Sequence, residues 1–205
     1  MRRALLVGLL ALGGCSSLVQ QRIEHFATGR VASDFDSYSI HRVGLLPIIG
    51  RSMDQAHAEL LQSAFFVELS KQSTFDIVPL SERDLEEIDH TESYVRGVYE
   101  PKMVIDLARR FHFDAIFVGT VVDYQFYTPQ SISVELELVA AETGAAIWAS
   151  EVHLDASAPR VRKSLEAFYQ EGGAGETENG DGWRLALISP RLFSQFAAWQ
   201  VARLL

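Results

Sequence analysis

Cysteine is almost absent from this sequence: Cys15 is the only one among 205 residues. A single thiol forms no disulfide within the chain and no zinc site built from several cysteines. Long apolar runs are missing too, because the run at the N-terminus is shorter than the roughly 20 residues of a membrane-spanning helix. The short motifs of serine hydrolases, zinc proteases and phosphate-binding loops also do not occur. These absences point away from the common classes of enzyme, and the prediction is that the chain is not one.

Positive charge is scarce as well. The chain has 18 Lys and Arg against 27 Asp and Glu, a formal net charge of −9. A chain of this charge repels nucleic acid and anionic lipid headgroups, so no nucleic-acid partner is expected. The length suffices for one domain with a sizeable core and a tail.

The first fourteen residues have the three parts of an export signal. Arg2 and Arg3 form a positive start, an apolar stretch follows, and Gly13-Gly14 supplies small residues at a cleavage site. Leu12-Gly13-Gly14-Cys15 resembles the lipobox of bacterial lipoproteins. The resemblance implies a signal peptide of residues 1–14, cleavage before Cys15, and acylation of Cys15 on its sulfur and amino group. The alternative is an ordinary signal peptide, with Cys15 as a buried free thiol.

Lipidation would have three consequences. It would consume the only thiol and so exclude a cysteine nucleophile, and several acyl chains would hold the chain stably in a membrane. It would leave 16 basic and 27 acidic residues, a net charge of −11. Ser16 follows Cys15, where inner-membrane lipoproteins typically have Asp; by resemblance this favours the periplasmic face of the outer membrane. Residues 15–40 are then predicted to be a lipidated tether, polar over residues 16–38, with at most one weak helix over 18–26.

Residues 41–155 alternate between strand and helix patterns. Continuous apolar runs at 41–48, 74–79 and 114–122 predict buried strands. Between them, Ser52 or Asp54 would cap a helix reaching about residue 71, Ser81 with Asp84 would start a short helix, and Pro101 would start a third. The apolar stripes of these helices are Leu60, Leu61, Ala64, Phe65 and Leu69, then Leu85 and Ile88, then Met103, Val104, Leu107 and Ala108.

The pattern then changes. Residues 131–138 alternate strictly, Glu142-Thr143-Gly144 indicates a turn, and residues 145–153 form another strand, which together predict an antiparallel hairpin. The fold class is therefore α/β: an open mixed sheet that starts as parallel β-α-β-α-β and ends as an antiparallel hairpin, with helices packed on it. Residues 156–205 add a helix, an acidic glycine-rich loop (171–182), and a C-terminal amphipathic helix starting at Ser189-Pro190.

Five segments carry a resemblance to a family of envelope lipoproteins. They are Val43-Gly-Leu-Leu-Pro47, the helix after it, Phe75-Asp-Ile-Val-Pro79, Phe113 to Thr120 and Glu142 to Trp148. Together they resemble the periplasmic α/β domain of the curli-secretion lipoprotein CsgG, and are similar to the activator LpoB and the N-terminal domain of TolB, over about residues 41–153. Residues 123–131 are too short for the pore-forming hairpins of CsgG, since such strands need about 9–11 residues each. The tether is also shorter than that of LpoB.

Several titratable residues are candidates for a chemical site. Glu135 and Glu137 would project from one strand face and imitate a carboxylate pair, but the wet face of an edge hairpin is the better explanation of them. His57-Ala58-Glu59 resembles half of a deaminase zinc motif whose cysteine half cannot exist here. His112 and His153 stand alone, and the acidic loop lacks calcium-loop spacing. No catalytic residue, metal or cofactor is predicted.

Aromatic residues near loops are the better candidates for partner contacts, because interface cores favour them. They are Tyr94, Tyr99, Tyr124, Phe126 and Tyr127, unless they cover the sheet instead. The C-terminal helix adds Phe196 and Trp199, if it meets a partner or a second copy rather than docking on the domain.

The predicted function is an outer-membrane lipoprotein that binds other cell-envelope proteins as a non-catalytic scaffold or assembly factor. The alternative is a subunit of a CsgG-like export ring, a homo-oligomer whose pore is supplied elsewhere. An envelope hydrolase is the least favoured class.

Overall fold

The computed structural model describes residues 23–51, 53–86, 99–170 and 182–205. Several sequence predictions fall outside these ranges, namely the signal peptide, Cys15, Ser52, Ile88, Tyr94 and the acidic loop up to residue 181.

All described strands belong to one mixed sheet. They are β1 (Ala27–Val31), β2 (Arg42–Leu45), β3 (Ile49–Gly50), β4 (Asp76–Pro79), β5 (Ala115–Gln125), β6 (Ser131–Ala140) and β7 (Ala146–Asp155). The order across the sheet is β1-β7-β6-β5-β2-β4, and β3 pairs with β5. The pairs among β5, β2, β4 and β3 are parallel, whereas β5-β6, β6-β7 and β7-β1 are antiparallel. This confirms the predicted fold class, and the strand predicted over residues 114–122 is β5, in the interior of the sheet.

Most of the described helices lie where the sequence predicted them, but the helix Gly182–Ala186 was not predicted, and Gly182 belongs to it and not to the acidic loop. The helices are α1 (Gln55–Gln72), α2 (Glu82–Glu86), α3 (Pro101–Phe111), α4 (Pro159–Gln170), α5 (Gly182–Ala186) and α6 (Pro190–Ala202). Asp54 caps α1 by accepting a hydrogen bond from the His57 backbone N–H. Asp84 accepts from both the N–H and the hydroxyl of Ser81, at 2.7 and 2.6 Å, as a capping box does.

Helices cover the two faces of the sheet unequally. One face is covered by α1, α4 and α6, whose buried residues share a core with β5, β6 and β7. On the other face, α2 and α3 cover the part formed by β2, β4 and β5. On that second face, β6, β7 and β1 carry polar side chains, and we call this region the open face. The hairpin of β6 and β7 is thus half buried, as its alternation predicted.

The predicted first strand is shorter in the structure. It ends at Leu45, and Ile49–Gly50 form the separate strand β3 against β5. Pro47 lies at the break, as expected of a residue that has no backbone N–H for a ladder.

The predicted tether differs most from the structure. Residues 27–31 are not a tether: they form β1, which pairs antiparallel with β7. The residues before it are also held, since the Phe26 N–H donates to Gln200 Oε1 at 3.0 Å and the Glu24 carbonyl accepts from Ser164 and Gln200. Residues 23–26 are not helical. Only Ala27 of the strand is buried, so its sequence shows no alternation that would predict it.

The C-terminal helix docks on the domain. Phe193 and Phe196 are fully buried, and Gln195 donates to Glu68 of α1 at 3.1 Å. Beyond the helix, Trp148 Nε1 of β7 donates to the Leu204 carbonyl at 2.9 Å. Of the two alternatives for this helix, packing against its own domain is the one observed. None of the helices in the described ranges is long and apolar enough to cross a membrane.

Candidate interaction surfaces

Three rings meet where β5 ends and α1 begins. The Phe126 ring lies 5.0 Å from the His57 ring and 5.3 Å from the Tyr124 ring, and the His57 and Tyr124 rings are 6.3 Å apart. We call these three residues the aromatic cluster. Their contact follows from topology: β3 runs parallel to β5, so α1 starts at the end of the sheet where β5 stops.

Asp54 fixes the histidine of this cluster. Its two carboxylate oxygens accept from the His57 backbone N–H at 2.9 Å and contact His57 Nδ1 at 2.7 Å. The backbone hydrogen bond first, and then the side-chain one, hold the pKa of Asp54 below its ordinary value. Asp54 is thereby kept as a carboxylate that orients the ring, which is a structural role.

Exposed apolar side chains lie beside the aromatic cluster. Tyr127, Leu185 and Ile188 are 73%, 51% and 63% exposed, and we call them the apolar patch. Two hydrogen bonds join their segments: Gln130 Nε2 to the Ala186 carbonyl at 2.9 Å, and Thr128 Oγ1 to the Leu187 carbonyl at 3.4 Å. Large exposed apolar residues held together on an ordered surface are typical of a binding site.

Leu185 and Ile188 were not among the predicted contacts. Their only sequence signal is that apolar residues stand between the acidic loop and the cap Ser189. Their neighbour Tyr127 is nearly 60 residues away in the chain, and nothing in the local pattern predicts that pairing.

On the open face, residues of neighbouring strands line up in rows across the sheet. Glu137, Ala149 and Arg30 lie opposite one another on three neighbouring strands. Glu137 accepts from the Tyr99 hydroxyl at 2.8 Å and lies 4.0 Å from Arg30. Burial first, and then the hydrogen bond to Glu137, raise the pKa of Tyr99 above its ordinary value.

The next row of the open face places Glu135 opposite Glu151, with Thr28 beyond it. Thr28 Oγ1 donates to Glu151 at 3.1 Å. The depression between the rows has a volume of about 290 Å³, at the lower end for a small-molecule pocket. Glu135 and Glu137 therefore belong to the wet face of the hairpin, but β1 lies outside that hairpin, so the hairpin is not the edge of the sheet.

The other predicted partner contacts are too buried to offer much surface to a partner. Phe196 has no exposed surface and packs 5.3 Å from Phe168, so its side chain is part of the core and does not reach a partner. Trp199 is partly buried, with its ring stacked on His25 at 5.5 Å. Tyr99 is half-buried against Glu137. Tyr124, Phe126 and Tyr127 are the predicted contacts that the structure brings together.

The histidines in the part of the chain that the structure describes do not gather into a chemical site. His112 ends α3 in a left-handed conformation, and His153 lies opposite Ser133 on the open face. Within the described ranges, no group of three or more His, Cys, Asp and Glu is arranged to hold a metal ion.

No protein-family model matches the sequence, and no curated protein matches it. Solved structures with a similar fold include the PelC dodecamer from Paraburkholderia phytofirmans, 11% identical, covering 67% of this chain and 87% of that one, with a TM-score of 0.46. They include lipoprotein GNA1162 from Neisseria meningitidis, 16% identical, covering 76% and 96%, with a TM-score of 0.45. They also include the C-terminal domain of LpoB from Salmonella enterica, 16% identical, covering 58% and 86%, with a TM-score of 0.40. Sequence identities this low support a similarity of fold and say nothing about function.

Proposed function

We propose that this protein is an outer-membrane lipoprotein, anchored through Cys15 on the periplasmic side, that binds other envelope proteins without catalysing a reaction. The observation that carries the proposal is the apolar patch beside the aromatic cluster. Tyr127, Leu185 and Ile188 expose large side chains from segments tied to the sheet, which is the arrangement of an interface core.

The partner would present a complementary apolar surface to this patch. Tyrosine is among the residues that dominate the binding energy of protein interfaces, which makes Tyr127 the main anchor. The patch needs little ordering because the hydrogen bonds of Gln130 and Thr128 already join its two segments. The acidic chain would add long-range attraction for a basic partner.

Photo-crosslinking in cells tests the binding site. A crosslinking amino acid replaces Tyr127 or Ile188 in turn, and Val67, an exposed apolar residue of α1, is the matched control position. Positions 127 and 188 should capture the same partner and position 67 should not. Capture that is equal at all three positions, or absent at 127 and 188, would overturn the assignment.

The anchor is tested separately. Radiolabelled palmitate should label the wild type and not the Cys15→Ser variant. Equal labelling of both would rule out the anchor while leaving the binding site to its own test. The ring alternative predicts eight or more copies in detergent, which a mass measurement on the same preparation decides.

A further inference from the structure

Strand β1 is an edge strand whose outer side is open. Among residues 23–51, 53–86, 99–170 and 182–205, no strand pairs with β1 on the side away from β7. Four of its five residues are exposed, including Gly29, and the Val31 side chain is 58% exposed. An exposed edge of this kind is a template for pairing with another strand.

The register with β7 shows which backbone groups are available. The Ala32 N–H donates to the Ile147 carbonyl at 2.8 Å, so Ala32 and Ile147 form a hydrogen-bonded pair. In an antiparallel ladder such pairs alternate, which directs the backbone groups of Arg30 and Thr28 toward β7. The N–H and C=O groups of Gly29 and Val31 therefore point outward.

The opposite edge of the sheet is protected. Strand β4 is four residues long and ends in Pro79. The Asp76 N–H donates to the His41 carbonyl and the Leu80 N–H to the Leu45 carbonyl, so both point toward β2. By the same alternation Pro79 faces outward, where it offers no donor. Natural sheets use proline in this way to prevent edge pairing, and β1 has no such residue.

We propose that two copies of this chain join through β1, antiparallel, about a two-fold axis at Gly29. Gly29 then lies opposite Gly29 of the second copy, and all five residues of β1 find a partner. The two sheets continue into one, and both copies contribute the same surface, as a closed dimer requires.

Charge supports this register. Arg30 of one copy lies opposite Thr28 of the other, whose hydroxyl already bonds to Glu151 on the next strand. Arg30 is thus about two strand spacings, roughly 10 Å between backbones, from a carboxylate that its long side chain can approach. Each arginine has Glu137 on its own side and Glu151 on the other.

The apolar side chains of β1 also favour the register with the two-fold axis at Gly29. Val31 lies opposite Ala27 of the second copy, so the exposed valine is covered by a small apolar residue. A two-fold axis at position 30 would instead place Arg30 directly opposite Arg30, and like charges in that position destabilise a sheet. The Gly29 register avoids this.

This interface uses a different surface from the apolar patch and does not depend on lipidation. A failure here leaves the proposed binding function untouched, and the reverse also holds.

Mixed crosslinking of the purified full-length protein in detergent tests the register. Thr28→Cys and Arg30→Cys variants, each prepared reduced, are mixed in equal amounts and oxidised, with wild type as the control for Cys15. The mixture should give several times more disulfide-linked dimer than either variant alone. Equal dimer in all samples would overturn the register.

An edge-blocking variant tests the strand pairing itself. Val31→Pro removes an outward N–H and leaves the ladder to β7 intact, whereas Val31→Thr keeps the N–H. By light scattering, Val31→Thr should be a dimer and Val31→Pro a monomer; dimers in both would overturn the proposal. If Val31→Pro does not fold, Arg30→Glu should weaken dimerisation by about tenfold or more and Glu151→Arg in the same chain should restore it, and unchanged dimerisation of Arg30→Glu would also overturn the proposal.

Discussion

The Gln130 side chain donates to the Ala186 carbonyl at 2.9 Å from a fully buried position. This bond ties α5 to the segment between β5 and β6, and so brings the segment of Leu185 and Ile188 to the segment of Tyr127. The apolar patch therefore depends on contacts between distant segments, of which this buried bond joins residues 56 positions apart.

The first prediction concerns that contact. Gln130→Ala removes the donor and leaves the buried Ala186 carbonyl without its partner, which costs about 1–3 kcal/mol in the free energy of unfolding. Urea denaturation measures the loss. Gln55→Ala, which removes only an exposed hydrogen bond to Glu59, should change stability by no more than about 0.5 kcal/mol. Equal effects of the two variants would mean that the Gln130 bond does not stabilise the fold.

The second prediction concerns the docking of α6. Glu68 of α1 is 1% exposed and accepts from Lys71 at 2.7 Å and from Gln195 of α6 at 3.1 Å. Glu68→Ala should lower the free energy of unfolding by about 1.5–3 kcal/mol, the range for hydrogen bonds to charged groups. Thermal and urea unfolding check this, with Glu59→Ala on the exposed side of α1 as control. A Glu68→Ala protein as stable as wild type would contradict the proposed role of this contact.

The third prediction is a pH dependence. Burial first, and then the Glu68 carboxylate, raise the pKa of the Tyr169 hydroxyl, which donates to the Leu192 carbonyl at 2.9 Å. In the unfolded chain this hydroxyl ionises near pH 10, while in the folded protein it stays protonated. The unfolded state then binds fewer protons, so stability is retained below about pH 10 and falls above it, by at most about 1.4 kcal/mol per pH unit.

Tyr169→Phe provides the control for that dependence. Urea unfolding between pH 9 and 11.5 should show a shallower loss for Tyr169→Phe than for wild type, whatever its starting stability. Parallel curves for the two proteins would show that Tyr169 does not titrate as described.

The fourth prediction concerns the turn between β6 and β7. Gly144 has φ of 69°, and an added Cβ would lie 2.9 Å from the Pro101 Cβ. Gly144→Ala should cost roughly 1–2 kcal/mol for the left-handed conformation alone, and more if Pro101 cannot move. Gly144→Asn tolerates that conformation better, so it should cost less than Ala when unfolding is measured in urea. No loss for Gly144→Ala would contradict the strained geometry.

Elements with a regular apolar period were predictable from the sequence. The stripe of Met103, Val104 and Leu107 places α3, and the alternation of Ile132, Val134 and Leu136 places β6, because burial on one side imposes each period. Gly144 marked its turn because few other residues adopt its conformation.

Strand β1 and the complete apolar patch could not be predicted from an apolar period. β1 is stabilised by pairing with β7, more than 100 residues away, and buries only Ala27, so its own sequence has no signature. Leu185 and Ile188 join Tyr127 through the Gln130 contact, which depends on the assembled fold. Phe196 was a possible partner contact only if α6 met a partner, because α6 is apolar on more than one face; in the structure α6 docks and Phe196 is part of the core.

The central claim is that the apolar patch binds an envelope protein while the chain is held at the membrane. Its most direct measurement is partner recovery with full-length wild type and with a Tyr127→Ser, Leu185→Ser, Ile188→Ser variant, purified from the membrane fraction. The three residues are exposed, so the variant should remain folded and membrane-bound. It should recover about tenfold less of the partner that the photo-crosslinking experiment identifies from position 127. Equal recovery by a folded variant would contradict the claim.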